Sequence, residues 1–440
     1  YKSKYPMAML VYAMHLFTYN RIDLFEKVCG EISQIIEVES DLSDLQRQEL
    51  LGEFELLISF TGYNDIKRMA EHHKIACNLL SKPTSIYDTN SRWTFGSFSV
   101  LYMFYRESGK LHQHVQDLIE VMPYYDRLTD GHGSGGEYLF QAERYFYIGD
   151  FENAEIFAHK ALLKAQGKSE TEMMLCAEFL QLRLSLMKGD LEQLRQRLSA
   201  MGKNSRYRSD YFYVHTVEIC EGFMYGLLGQ SKKISERIAE GDLSKSRLMF
   251  PAYGLINMVY GRSLLINGAF LKLIGSVEEQ MEIASVFPNL LAVIHIKIYH
   301  AAALDKIGRR SDALALIQEG LALAMPDQLL MPFVENGDFI SSLLKRCQSE
   351  GVYVKEIDRI LELYCVFEKT VKQINQLYFD VAKPKLSKRE YEIAILASEG
   401  YTNREISEKL YISQNTIKTQ LKTIFEKLDI NSRALLKKSL

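Results

Sequence analysis

No stretch of this 440-residue chain runs through 18 or more apolar residues, which excludes a helical membrane span. A charged start followed by an apolar run and a small-residue cleavage site is also missing, so no signal peptide is expected and the protein reads as cytoplasmic. The six cysteines (Cys29, Cys77, Cys176, Cys220, Cys347 and Cys365) are scattered, with no C-x-x-C spacing for zinc or dithiol chemistry. They are expected to be reduced core residues. Neither a Walker A sequence nor H-E-x-x-H occurs, and the near-adjacent pairs His72/His73 and His112/His114 cannot share one helix face. The run Gly131–Gly136 formally fits G-x-G-x-x-G, but the dinucleotide fingerprint needs a preceding strand. Here VMPYYDRLTD reads as the end of a helix, and the glycines read as an interhelical loop. No catalytic residue, metal site or cofactor site is expected, and the chain does not read as an enzyme.

What is present is a spacing. Gly109, Gly149, Gly189, Gly229, Gly268 and Gly308 stand 40, 40, 40, 39 and 40 residues apart, with looser precursors at Asn20 and Gly62. Each follows one apolar helical stretch and precedes another, as in ERYFYIGDFENAEIFAHKALLKA. A residue tolerant of left-handed backbone ends the first helix and lets the second fold back, so the predicted unit is a helical hairpin. Aromatic residues such as Phe140, Phe146, Tyr147, Tyr211 and Phe223 lie along the first helices and are expected mainly in the core between units.

The last 55 residues carry a different pattern. Ser387 with Glu390, and Thr402 with Glu405, form two capping boxes, and Ser413 caps a third helix. Gly400 ends the first of these helices, and the short turn at Tyr411 and Ile412 separates the second from the third. So tight a connection suggests a helix-turn-helix. In the third helix Ile417, Leu421, Ile424, Phe425 and Leu428 share an inward face. The opposite face presents Asn415, Lys418, Thr419 and Lys422, polar or cationic groups suited to base edges and phosphates.

From Leu386 onward the segment resembles the LuxR-type helix-turn-helix family, on Leu386, Arg389, Glu390, Gly400, Asn403, Arg404, Glu405, Ile406, Leu410, Ser413, Thr416, Ile417, Lys418, Lys427, Leu428 and Arg433 among others. The resemblance implies base or groove contacts by Lys418, Thr419 and Lys422, with Thr416, Arg404 and Lys427 near phosphates. It also implies a last helix, around Arg433, Leu435 and Leu436, through which copies dimerise on DNA. Gln420, Ser407, Ala394 and Ala397 depart from residues common in the family.

Charge follows the same division. Residues 385–440 hold 11 Lys and Arg against 7 Asp and Glu, a net of +4, while the rest of the chain carries −7. A cationic end suits a polyanion. The expected architecture is all-α: a tetratricopeptide-like α-solenoid of about eight hairpins over 1–350, a linker helix and hinge over 351–384, and a four-helix DNA-binding domain over 385–440. The order resembles the large ATP-dependent regulators of the MalT type, whose nucleotide-binding front end does not appear here. The chain therefore reads as the C-terminal portion or a reduced relative of such a protein. Its expected partners are double-stranded DNA, on which it would sit as a homodimer, and a small-molecule, peptide or protein effector in the concave groove of the solenoid. A protein-binding scaffold localised by its DNA module is the alternative.

Overall fold

The computed structural model describes residues 5–38, 42–86, 92–208, 210–242, 248, 250–379, 386–428, 430, 432–433 and 436. Among them there are helices and turns and no strand. Two compact units divide between Val371 and Lys372.

In the first unit α1 (Pro6–Thr18) pairs with α2 (Ile22–Val38), and α3 (Asp44–Ser59) with α4 (Ile66–Leu79). The five-residue α5 (Val100–Phe104) precedes α6 (Leu111–Thr129). Then α7 (Gly136–Tyr147) pairs with α8 (Phe151–Lys168), and α9 (Thr171–Lys188) with α10 (Leu191–Lys203). A single turn, α11 (Ser205–Arg208), leads into α12 (Tyr211–Leu227), followed by the short α13 (Glu236–Glu240). Next, α14 (Tyr253–Ile266) pairs with α15 (Phe270–Val286), and α16 (Leu290–Lys306) with α17 (Arg310–Ala324). The one-turn α18 (Met331–Val334), α19 (Gly337–Ser349) and α20 (Val354–Ile374) follow, the last three residues of α20 falling past the division.

All six periodic glycines take left-handed backbone, with φ between +70° and +88°, as does Asn20. Gly62 does not; the left-handed residue there is its neighbour Tyr63, at φ +52°. The hairpin is also less uniform than its spacing predicts, because α5 and α13 are each only five residues long.

The hairpins sort into buried and half-exposed helices. Along α9 every residue from Met173 to Ala177 and from Phe179 to Met187 is buried, and α14 is buried from Gly254 to Leu265. A helix apolar on all sides is a core helix. Its neighbour α8 buries only Ala154, Ala158, Ala161 and Ala165, a stripe at helical spacing whose small side chains let α7 and α9 approach closely. Phe140, Phe146, Tyr147 and Phe223 are in this core as expected, whereas Tyr211 is exposed.

In an open solenoid each repeat touches only its neighbours. Here distant hairpins also meet. The Leu290 amide donates to the Tyr105 carbonyl at 3.0 Å, the Leu330 amide to the Tyr147 carbonyl at 2.8 Å, and Asn289 to the Tyr102 carbonyl. The Asp327 carboxylate accepts from the Tyr105 hydroxyl at 2.7 Å and from the amides of Gly109 and Leu111 at 2.6 and 3.0 Å. Arg183 of α9 reaches Glu335 at 2.8 Å, both of them fully buried. The inner helices are thus packed against partners far along the chain, where the sequence pattern predicts an open concave face.

The segment read as a linker helix packs on the hairpins through Ile357, Ile360, Leu363 and Phe367, with Leu363 against Gly149 and Tyr364 against Gly337. Val366 is exposed because it lies off the 3.6-residue stripe. Cys365 beside it is also exposed, whereas the other five cysteines are buried; all six are free thiols. Of the linker and hinge expected over 351–384, residues 380–384 lie outside the described residues.

The glycine run has a packing reason. A Cβ at Gly133 would stand 2.8 Å from the pyrrole side of the Trp93 indole, and one at Gly136 would stand 2.7 Å from its benzene side. Both are closer than a carbon can come, so the loop is glycine where the indole lies on it. It is a seat for Trp93 between α6 and α7, with no strand before it.

Candidate nucleic-acid interface

The second unit contains α21 (Lys388–Ser398), α22 (Asn403–Leu410) and α23 (Gln414–Lys427). Each starts where its cap residue dictates. The Ser387 hydroxyl accepts from the Glu390 amide at 3.2 Å, while Glu390 accepts from the Ser387 amide at 2.7 Å. Thr402 and Glu405 repeat the exchange at 3.3 and 2.7 Å, and the Ser413 hydroxyl accepts from the Thr416 amide at 3.0 Å. Gly400, at φ +96°, ends the first helix, and Tyr411, at φ +54°, makes the turn between α22 and α23.

A small core fixes the angle between these helices. Ile393, Ala394 and Ala397 of α21, Ile406 of α22, Ile417, Leu421 and Ile424 of α23, and Leu436 are buried together, with Phe425 and Leu428 partly buried against them. The departures at Ala394 and Ala397 thus fall in the core itself. Ser407 is buried too, and its hydroxyl is satisfied by donating to the Arg404 carbonyl at 2.7 Å.

Opposite that core, α23 presents Asn415, Thr416, Lys418, Thr419 and Lys422, all exposed. Lys422 is 80 % exposed and only loosely paired with Glu426, at 3.9 Å. The Thr419 hydroxyl donates to the Asn415 carbonyl at 3.0 Å, which holds its methyl and oxygen on the helix surface. Arg404 projects from α22 with 76 % exposure and meets Glu408 at 3.0 Å, a surface pair worth little on its own.

Lys427 is placed differently. Its ammonium lies 2.6 and 2.8 Å from the two oxygens of Glu390, across from α23 to α21. The Lys427 ammonium and the Ser387 amide hold the Glu390 carboxyl below its ordinary value, so the pair is ionised. Its position was readable: Lys427 follows Ile424 by three residues and so sits on the inner side of the helix. The residue expected near a phosphate is thus occupied inside the module.

Two further residues have roles that spacing does not reveal. Arg389 donates to the Leu410 carbonyl at 2.6 Å, tying α21 to the C-terminus of α22 just before the turn. Arg433 donates to the Ala397 carbonyl at 3.2 Å, to Asn403 Oδ1 at 3.0 Å and to the Tyr401 carbonyl, clamping the loop between α21 and α22. Leu435, expected with Arg433 and Leu436 in a dimerisation helix, lies outside the described residues.

Two helices, α22 and α23, joined at a tight turn and backed by α21, the second of them capped by Ser413 and polar on its outer face, make a helix-turn-helix. Residues 384–437 match the family described as bacterial regulatory proteins, luxR family. The C-terminal module is a luxR-family domain. Among curated proteins, this chain is similar to the transcriptional regulatory protein LiaR of Bacillus subtilis, 50 % identical over 48 residues that cover 11 % of this chain and 23 % of LiaR. It is 44 % identical over 48 residues to the transcriptional regulatory protein DegU of Brevibacillus brevis, covering 11 % of this chain and 20 % of DegU. A probable csgAB operon transcriptional regulatory protein of Salmonella typhimurium is 27 % identical over 135 residues, 29 % of this chain and 61 % of that protein. The likeness thus spans between a fifth and about three fifths of these relatives' lengths.

Elsewhere, no group of three or more His, Cys, Asp and Glu side chains among the described residues is arranged to hold a metal ion, and no described helix is long and apolar enough to cross a membrane.

Proposed function

We propose that this chain is a transcriptional regulator that binds duplex DNA through α23, with Lys418, Thr419 and Lys422 in the major groove, Asn415 beside them, and Thr416 and Arg404 on flanking phosphates. The observation that carries this reading is the two-sided character of α23. Ile417, Leu421 and Ile424 are buried at 5 % exposure or less, while the lysines at i and i+4 on the other side stand in solvent. A luxR-family module on relatives named as transcriptional regulators supports it. Phosphate contacts supply the affinity and base-edge contacts the sequence preference. Lys427 contributes indirectly, by holding the recognition helix on Glu390.

The hairpins are the input in this reading, a tetratricopeptide-like array of about eight units that takes an effector and has no enzymatic role of its own. The 40-residue period, the left-handed turn glycines and the alanine stripe of α8 support that repeat class. The contacts between distant hairpins distinguish it from an open array. For an effector to regulate DNA binding it must interact more favourably with the DNA-competent arrangement than with the other. Two modules then dimerise to occupy neighbouring half-sites.

Selection of the full chain against a random duplex pool tests the proposal. An enriched motif is expected, with a paired, inverted form if two copies bind together. Failure to retain any duplex at low salt would contradict it.

A further inference from the structure

Along α23 the polar side chains divide into those the helix itself uses and those it leaves free. The Ser413 and Thr416 hydroxyls lie 2.8 Å apart at the cap. The Thr419 hydroxyl donates to the Asn415 carbonyl at 3.0 Å, and the Thr423 hydroxyl to the Thr419 carbonyl at 3.2 Å. A hydroxyl has a single hydrogen, so neither Thr419 nor Thr423 has one left to give a base edge. The Asn415 amide group is different: it is exposed and makes no hydrogen bond to any described residue.

Its place on the helix is also distinct. Asn415 is the second residue of α23, after Gln414, and the N-terminal residues of a recognition helix are the ones that reach base edges. Successive residues of a helix turn by about 100°. Asn415 therefore lies on one outward line with Thr419 and Lys422, four and seven residues on, opposite the buried Ile417, Leu421 and Ile424. Gln414 carries the same amide but stands about 100° away, in line with Leu421 seven residues on and so toward the core side. An amide offers a donor and an acceptor side by side. In the major groove adenine alone shows the matching pair, an acceptor at N7 and a donor at N6; guanine shows two acceptors, which suit a lysine, while cytosine offers a donor and thymine an acceptor beside a methyl.

We propose that Asn415 is a specificity-determining residue that fixes one adenine in each half-site, its amide donating to N7 and accepting from N6 in the major groove. The assignment rests on the reading of α23 as the helix that enters duplex DNA. It differs from a contact between the same amide and a phosphate, which would add affinity on every sequence and preference for none. Lys418 and Lys422, which only donate, supply charge and suit guanine; the adenine preference belongs to Asn415.

Selection from a random duplex pool with the full chain and with Asn415→Ala tests the contact. The unaltered chain is expected to enrich a motif with adenine at one position of each half-site. The variant, at unchanged helical circular dichroism, is expected to lose about tenfold of preference at that position alone, with the rest of the motif and the salt dependence of affinity retained. A second measurement needs no variant. Replacing that adenine by 7-deazaadenine in the enriched duplex removes N7 and keeps the base pair, and is expected to weaken the unaltered chain about three- to tenfold. An unchanged motif for Asn415→Ala, an equal loss on every duplex, or no effect of 7-deazaadenine on the unaltered chain would overturn the assignment. Retention of no duplex by the unaltered chain would instead contradict the DNA-binding reading itself, and the adenine contact with it.

Discussion

Lys427 Nζ sits between the two carboxylate oxygens of Glu390, at 2.6 and 2.8 Å, joining the last turn of the recognition helix to the first turn of α21. Glu390 is also the third residue of a capping box, so one carboxylate serves a helix start and an interhelical pair. Its ordinary proton affinity is reduced in the folded module, so the stability it confers is present above the unfolded carboxyl value and is lost as pH falls through the folded one. Glu390→Gln is expected to lower the melting temperature of the module at neutral pH and to flatten its acid limb, as read by circular dichroism melts across pH. Lys427→Gln is expected to weaken DNA binding without changing its salt dependence, because it loosens the helix and removes no phosphate contact.

The buried pair Arg183–Glu335 joins α9 to the segment before α19. Removing one partner leaves the other charge buried and alone, which costs about 3–5 kcal/mol. Arg183→Met is therefore expected to destabilise the first unit by that amount, and Arg183→Met with Glu335→Leu by less than either single change. Denaturant melts of the three variants check the coupling.

Glu143 is fully buried and accepts from the Leu101 amide at 2.6 Å. Burial pushes its carboxyl up to about 7, against an ordinary value near 4.5. Between those values the folded chain holds a proton that the unfolded chain has released, so this group's contribution is full at low pH and declines as pH rises through about 7. Glu143→Gln, neutral at every pH, is expected to gain about 1–3 kcal/mol relative to the native chain on going from pH 5 to pH 8. Paired melts at those two values measure it.

Gly136 lies outside the left-handed region, and the nearest atoms a methyl there would meet belong to the Trp93 indole. Gly136→Ala is expected to cost about 1–3 kcal/mol through overpacking and to shift the Trp93 emission as the ring is displaced. Unchanged emission and melting would show that the loop is not the seat of the indole.

Local features were legible in the sequence. The caps at Ser387, Thr402 and Ser413 involve partners three residues away, and the turn glycines record a backbone requirement at a single position. The inward stripe of α23 was equally plain, since helical periodicity alone assigns Ile417, Leu421 and Ile424 to the core. Contacts between distant residues were not legible. Arg183 and Glu335 are 152 residues apart, Tyr102 and Asn289 are 187 apart, and nothing in either local pattern names the other. The pairing of Lys427 with Glu390, 37 residues away, was not legible either. The glycine run at 131–136 was correctly read as a loop, but its reason lies 40 residues upstream in Trp93.

The central claim is that the exposed face of α23 holds DNA. The most direct measurement is the salt dependence of duplex affinity for the full chain and for Lys418→Ala/Lys422→Ala, by fluorescence anisotropy. The double variant is expected to bind more weakly, with a slope of log affinity against log salt that is shallower by about 2, at unchanged helical circular dichroism. An unchanged affinity and slope for every duplex tested would contradict the account.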